Sequence, residues 1–363
     1  MVHKIGIVTL PGRFNYGNRL QNYATTKLVE SLGLKAESFD LVRPKFVARG
    51  ALIAKRILGL PLPPEDAIGR KRLAAFDRFN SKMRLRTVTR SKVASLKGCC
   101  DLFITGSDQV WNLNIVGRKD WWYFLEFADR AQRIALSPSI GLDALDPEQA
   151  SVVAKGVSGF GRLSVRETRG AELIKECSGR DAAVICDPTL VLSPEEWRAV
   201  ADDRLTPAEP YVFTYLLGEV GESAVRVLDE VTDHCKLPVI PLSDRQRSKE
   251  PDAGPAEFIS LIDHAAHVVT DSFHAAVFSS ILQTPLTIVR REGGANMFSR
   301  LETLAQTLDI EHKIYGSPCF NLSYAGDYEG VPESIERERQ KFMGYLEGCL
   351  DAQLPGWRDG ARA

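Results

Sequence analysis

The sequence predicts an α/β protein of two doubly wound parallel-sheet domains facing each other across a cleft. Three observations carry this. The chain opens with a β-α-β pattern, a polar, proline-containing stretch from Asp202 to Pro210 interrupts it, and the alternation restarts at Tyr211. At 363 residues the chain exceeds one average domain, so two is the natural count. Ligands of such sheets bind at the carboxyl ends of the strands, and a facing pair directs both sets of ends into one cleft.

Lys4-Ile5-Gly6-Ile7-Val8-Thr9-Leu10 reads as a buried first strand. After the loop from Pro11 to Gly17, a helix places Leu20, Ala24, Leu28 and Leu32 on one face and stops at Gly33. Lys35–Leu41 completes the β-α-β unit, and further strands are predicted at Asp101–Thr105, Arg133–Ser137, Leu163–Val165 and Ala183–Cys186. Ser193-Pro194-Glu195-Glu196 is a capping box with proline at the first helical position. Beyond the linker, strands at Tyr211–Leu217, Pro238–Leu242, His267–Thr270 and Pro285–Val289 alternate with helices at Glu222–His234, Pro255–Ala265, Phe273–Leu282 and Phe298–Gln306. A last amphipathic helix runs from about Pro332 to Leu350.

Composition narrows the function. A formal net charge of −1 excludes a globally basic nucleic-acid binder, so no nucleic-acid partner is expected. Seven cysteines, an odd number without a C-x-x-C pair, suggest reduced thiols rather than a disulfide framework or a zinc site. No secretory signal is read before the first strand, and no apolar run nears the roughly 20 residues that cross a bilayer. The expectation is a cytoplasmic protein. Charge is nevertheless uneven: from Arg43 to Lys92 there are 14 Lys or Arg against three acids, giving +11 there and −12 over the remainder. Between Lys45 and Leu60, basic and apolar residues mix at helical spacing. Such a helix either lies on an anionic membrane surface or packs, solvated, on its own domain.

The strongest local signal runs from His267 to Phe278. An apolar strand ends at Thr270, Asp271 or Ser272 can cap the next helix, and His274 falls in its first turn. Free N–H groups and the positive end of the helix dipole make that turn an anion site. Arg290 and Arg291 end the following strand, and Arg300 sits early in the next helix; three guanidinium groups near one cleft suit phosphate and carboxylate. Arg166, in Ser164-Val165-Arg166-Glu167, either projects into the cleft or pairs with Glu167. The loop Asn15-Tyr16-Gly17-Asn18 offers amide and backbone donors at a helix start. Gly106-Ser107-Asp108-Gln109-Val110-Trp111-Asn112 sets a carboxylate beside an amide and an indole, a mixture suited to sugar. His264-Ala265-Ala266-His267 has metal-like spacing, but His267 already begins a strand, so no metal is expected. P-loop and G-x-G-x-x-G patterns are missing.

Taken in order, these segments resemble the polysaccharide pyruvyl transferases. The resemblance rests on Asn15 to Ala24, Gly106 to Asn112, Ser164 to Glu167, Asp187-Pro188-Thr189, Thr270 to Ala275 and Asn296-Met297-Phe298-Ser299-Arg300. It implies a fold similar to GT-B glycosyltransferases, with two Rossmann-like domains: an acceptor side over residues 1–205, a donor side over 206–330, and a C-terminal helix within 331–363 returning to the first. It implies transfer of the enolpyruvyl carbons of phosphoenolpyruvate to two sugar hydroxyls, with no cofactor and with an acceptor that is often lipid-linked. Contact with the inner face of a membrane would then give the basic segment a purpose.

The family's arginine and histidine match Arg166 and His274. Many members have arginine where this chain has Ser272, and some carry a lysine that aligns near Gly294; Arg290, Arg291 and Arg300 are the residues available to replace those charges. The resulting assignment makes His274 the acid/base and phosphate contact and Arg166, with Arg290 or Arg291, the anion clamp. Asp108 is a second candidate base or acceptor contact. A GT-B glycosyltransferase using a sugar nucleotide, and a non-enzymatic sugar-binding module, are the alternatives.

Overall fold

A computed structural model describes residues 2–12, 15–42, 69–217, 220–243, 250–291 and 298–361. Its first sheet has five parallel strands in the order β3-β2-β1-β4-β5: β1 Lys4–Val8, β2 Lys35–Val42, β3 Leu85–Thr89, β4 Leu102–Thr105 and β5 Arg133–Ala135. Beyond β5 lies a short parallel pair, β6 Ser164–Val165 and β7 Ala183–Val184. Ser164 Oγ ties the pair on, donating to the Ala135 carbonyl and accepting from the Ser137 N–H. The second sheet is also parallel, in the order β11-β10-β8-β9: β8 Val212–Tyr215, β9 Val239–Leu242, β10 His267–Thr270 and β11 Leu286–Ile288. The protein is thus α/β with two parallel-sheet domains.

The helices used below are α1 Tyr16–Ser31, α2 Arg70–Asn80, α3 Glu222–Cys235, α4 Pro255–Asp263, α5 Phe273–Leu282, α6 Ser299–Leu308 and α7 Val331–Gln353. Asn15 starts α1 by accepting the Asn18 N–H at 3.0 Å, an N-cap that satisfies one of the helix's orphan donors. The long helix α7 returns to the first domain, where its Gln353 amide donates to the carbonyls of Ala131 and Arg133 at the start of β5. Among the described residues no helix is long and apolar enough to cross a membrane. The expected helix between Lys45 and Leu60 lies outside the described residues.

One apolar core joins the two sheets. Tyr16 of α1 stacks on Phe258 of α4 at 4.7 Å and meets Tyr215 of β8 edge-on at 5.4 Å, while Trp197 meets Phe278 of α5 at 4.8 Å. Gly254, just before α4, permits this contact: a Cβ there would lie 2.8 Å from the Ala75 Cβ of α2. A second core, including Phe103, Trp111, Trp122 and Phe160, fills the other face of the first sheet. The cleft-facing edge of that shared core is where both strand orders reverse, between β1 and β4 in one sheet and between β8 and β10 in the other. Such switch points leave a crevice outside the carboxyl ends of the strands.

Candidate active site

A cleft of about 390 Å³ opens at these two switch points. Leu10 and Asn18 reach it from the end of β1 and the start of α1, and Asp108 and Gln109 from the loop after β4. From the other domain come Leu217 after β8, Asp271 to His274 after β10, Arg290 and Arg291 after β11, and Arg300 on α6.

The turn from β10 into α5 is held by side chains that leave the helix end open. Thr270 Oγ1 donates to the Tyr215 carbonyl at 2.5 Å and accepts the Ser272 N–H at 3.0 Å. Asp271 accepts the Leu217 N–H at 2.8 Å and Arg291 Nε at 2.9 Å, so its carboxylate is turned away from capping. Ser272 occupies the N-cap position but its hydroxyl makes no cap hydrogen bond. The sequence left Asp271 or Ser272 as the cap; neither side chain serves. The first turn of α5 therefore presents its N–H groups and dipole to the cleft.

His274, in that turn, is backed by a buried network from the first domain. Its Nε2 lies 3.7 Å from Asp187 Oδ2, an ion-pair distance too long for a hydrogen bond. Asp187 is fully buried. Its Oδ1 accepts the Thr189 N–H and hydroxyl at 3.0 and 2.7 Å. Its Oδ2 accepts from Ser107 Oγ at 2.7 Å and Arg166 Nη1 at 2.6 Å. Burial opposes the charge of this carboxylate, but the facing His274 and Arg166, with Thr189, outweigh it and hold Asp187 well below the usual carboxylate range. Burial likewise opposes the Arg166 charge, and Asp187 and Asp108 overcome it, raising its pKa.

The structure corrects several sequence-based assignments. Arg166 is buried behind the cleft, paired with Asp187 and Asp108 and stacked on the Phe273 ring at 4.4 Å. Its charge is thus already matched by these two carboxylates, and it is not paired with Glu167, whose Oε1 accepts from Ser139 Oγ and the N–H groups of Ile140 and Gly141. Ser107 is wholly buried, donating to Asp187. Tyr16 donates its hydroxyl to the Ala253 carbonyl inside the interdomain core. Trp111 is not a sugar platform: it is fully buried, stacked on Phe124, with its indole N–H on the Tyr123 carbonyl. Both rings follow the general rule that a large apolar body is worth more in a core than on a loop.

Asn15, Asn18, Asp108, Gln109, Ser272, His274, Arg290, Arg291 and Arg300 do line the cleft. Arg290 pairs with Glu302 at 3.0 Å and stacks on Phe298. Arg300 has no ion pair among the described residues, and its Nε is buried without a hydrogen-bond partner. Burial, reinforced by the positive charge of Arg166, lowers its pKa to about 10. A cation in this state is short of one anion. Asp187 and Gly17 are the functional positions that residue-level reading missed. Asp187 has a local signal, since Asp-Pro-Thr forms a capped turn, but nothing local says that the turn faces a histidine 87 positions on. Among the described residues no group of three or more His, Cys, Asp or Glu is arranged to hold a metal.

Comparison with known proteins adds a family. A model described as polysaccharide pyruvyl transferase matches residues 15–292. No curated protein matches the sequence. Among solved structures, the chain is similar to the S. aureus MnaA-UDP co-structure at 11% identity, covering 94% of this chain and 91% of that one, with a TM-score of 0.48. It is also similar to the Methanocaldococcus jannaschii UDP-GlcNAc 2-epimerase in complex with UDP-GlcNAc and UDP, at 14% identity, 93% and 92% coverage and a TM-score of 0.42. Medicago truncatula UGT71G1 complexed with UDP-glucose gives 9% identity, 97% and 98% coverage and a TM-score of 0.42.

Proposed function

The chain belongs to the polysaccharide pyruvyl transferase family, and from that premise we propose that it forms a pyruvate ketal on a sugar, with phosphoenolpyruvate as donor. The observation that carries this reading is the convergence of Arg290, Arg291 and Arg300, the last without an ion pair among the described residues, on one uncapped helix N-terminus that also bears His274. A donor close to trianionic needs a preformed site of this kind.

In this reading, His274 delivers a proton to C3 of the donor, which makes C2 electrophilic. One sugar hydroxyl adds at C2, phosphate leaves, and the second hydroxyl closes the ketal. Of the two protons lost by the hydroxyls, one balances the proton taken up at C3 and the other departs with phosphate. The arginines and the α5 amides stabilise the charge that develops on the leaving phosphate. Asp108, across the cleft, accepts a hydroxyl proton, and Asn15, Asn18 and Gln109 supply hydroxyl contacts. The formal reduction at C3 on protonation is matched by the formal oxidation at C2 on oxygen addition, so the reaction has no net redox change and requires no redox cofactor. To test this, the protein is incubated with phosphoenolpyruvate and a panel of hexosides while phosphate release is followed, with 13C NMR of the ketal carbon. Release that depends on acceptor and is lost in His274→Ala is expected; release unchanged in His274→Ala contradicts the assignment.

The acceptor side carries a feature that favours a lipid-linked glycan. Lys82, Arg84, Arg86, Arg90, Lys92 and Lys97 are all exposed along β3 and the turn after it, with no acidic residue between the first and the last. An edge of this charge suits an anionic bilayer. Flotation is expected with vesicles containing anionic lipid and not with neutral ones, weakened in Lys82→Glu/Arg84→Glu; equal recovery with both vesicle types contradicts it. A glycosyltransferase using a sugar nucleotide is the alternative reading, because an open helix N-terminus accepts a diphosphate equally well.

A further inference from the structure

We infer that His274 reacts through Nδ1, and that Asp187 is the positioning residue that fixes this choice. The inference rests on the function proposed above but is read on a different observable. Three facts of geometry converge. The Nε2 edge of the ring is buried without a hydrogen-bond partner, and Asp187 Oδ2 faces it at 3.7 Å. Asp187 is held in place through both oxygens, by Thr189 on one and by Ser107 and Arg166 on the other. Gly17, at the start of α1, lies against the opposite edge: a Cβ there would overlap the imidazole at Nδ1 and come within 2.5 Å of Cε1.

Asp187 is ionised, and its negative charge at 3.7 Å favours the tautomer whose N–H faces it, although the two do not hydrogen-bond. In the neutral ring Nδ1 is then the bare nitrogen, the one able to take and return a proton. Glycine at position 17 omits the side chain that would overlap that edge, and both Gly17 and His274 line the cleft. The other groups around the ring do not compete for Nε2. Phe273 meets it edge-on at 5.3 Å, and the Arg166 guanidinium is engaged by Asp187 and Asp108. Because Asp187 follows β7 of the first domain while His274 follows β10 of the second, the tautomer is set by how the two domains meet.

The test is nitrogen-resolved NMR of the whole protein labelled with 15N-histidine, in the absence of ligand and at a pH where imidazole is neutral. There are six histidines, and His274 is assigned by the signal lost in His274→Gln. The expected result is a proton on Nε2 in the wild type and a mixture of tautomers in Asp187→Asn, whose kcat falls about 100-fold or more with little change in KM for phosphoenolpyruvate. A proton on Nδ1 in the wild type, or an unchanged tautomer in Asp187→Asn, overturns the inference. If Asp187→Asn does not fold, the wild-type tautomer decides alone. Gly17→Ala gives an independent reading, with kcat lost at an unchanged melting temperature; full activity there also overturns it. The tautomer is measured without donor, so failure to bind phosphoenolpyruvate would count against the proposed function and leave this result standing.

Discussion

Arg166 and Arg300 carry the same guanidinium at one site, yet their surroundings assign them opposite duties. Arg166 neutralises two buried carboxylates, Asp187 and Asp108. Removing it leaves uncompensated buried charge, so Arg166→Met should cost about 3–5 kcal/mol of stability, read as a lower denaturant midpoint. Arg300 has no described ion pair to lose, so Arg300→Met should unfold at the same midpoint or a higher one while phosphoenolpyruvate binding weakens more than 10-fold. Equal loss of stability in both variants would contradict the distinction. From sequence both were read as anion contacts, because each is an arginine at the edge of an element. Asp187, 21 positions from Arg166, is what separates them, and sequence shows a pairing across that distance only as a motif without a role. The aromatic assignments failed for a related reason. Trp111 and Tyr16 have polar handles that look available on a loop, but the backbone carbonyls of Tyr123 and Ala253 satisfy them inside the core.

Elements were more legible than side-chain contacts. The β10 strand and α5 helix fall at His267–Thr270 and Phe273–Leu282 as periodicity predicts, since a fully apolar strand followed by a polar turn admits few other readings. β3 was not predicted. It is an edge strand in which Arg86 and Thr87 are exposed, so its apolar signal is diluted by the basic run that contains it. The strand–turn–helix that borders the cleft, by contrast, was visible as a pattern, though its cap was not, because Asp271 is drawn away by Arg291.

β10 also carries a pH dependence unrelated to the cleft. His267 is buried, with Nε2 on Thr287 and Nδ1 unpartnered; burial, aided by Lys313, lowers its pKa from 6.5 to about 4. The unfolded chain therefore binds a proton that the folded chain refuses between those values. Stability should fall by up to about 3 kcal/mol as pH drops from 6.5 toward 4. Asp187, whose folded pKa is depressed, contributes its loss only below the unfolded carboxylate range, so the two windows are separate. Melting temperatures from pH 7 to pH 5 should decline less in His267→Gln than in the wild type; parallel slopes would contradict this.

At the scale of the molecule, the cleft depends on two domains that share a core rather than touch at a rim. The sequence predicts two parallel sheets, and the sheets are there; how tightly they are joined was not legible, because Phe258 and Trp197 read locally as ordinary helix residues and Tyr16 as part of a polar loop. Arg72 shows the strength of the join. It is fully buried on α2, donates to the Ser243 carbonyl at 2.9 Å, and pairs with Glu250 at 3.1 Å in the other domain. Arg72→Ala should lower stability by about 3–5 kcal/mol, since buried Glu250 would be left unpaired; a change below about 1 kcal/mol in chemical denaturation would mean that the join does not rest on it. The same interdomain register brings Asp187 against His274, which is why the site and the fold cannot be separated.

The account turns on the identity of the anion in that cleft, and isothermal titration asks about it directly. Phosphoenolpyruvate should bind the wild-type protein one to one, more than 10-fold more weakly after Arg300→Met, while UDP-glucose gives no heat. Saturable binding of UDP-glucose with none of phosphoenolpyruvate would contradict the pyruvyl-transfer reading and favour a nucleotide-sugar enzyme in its place.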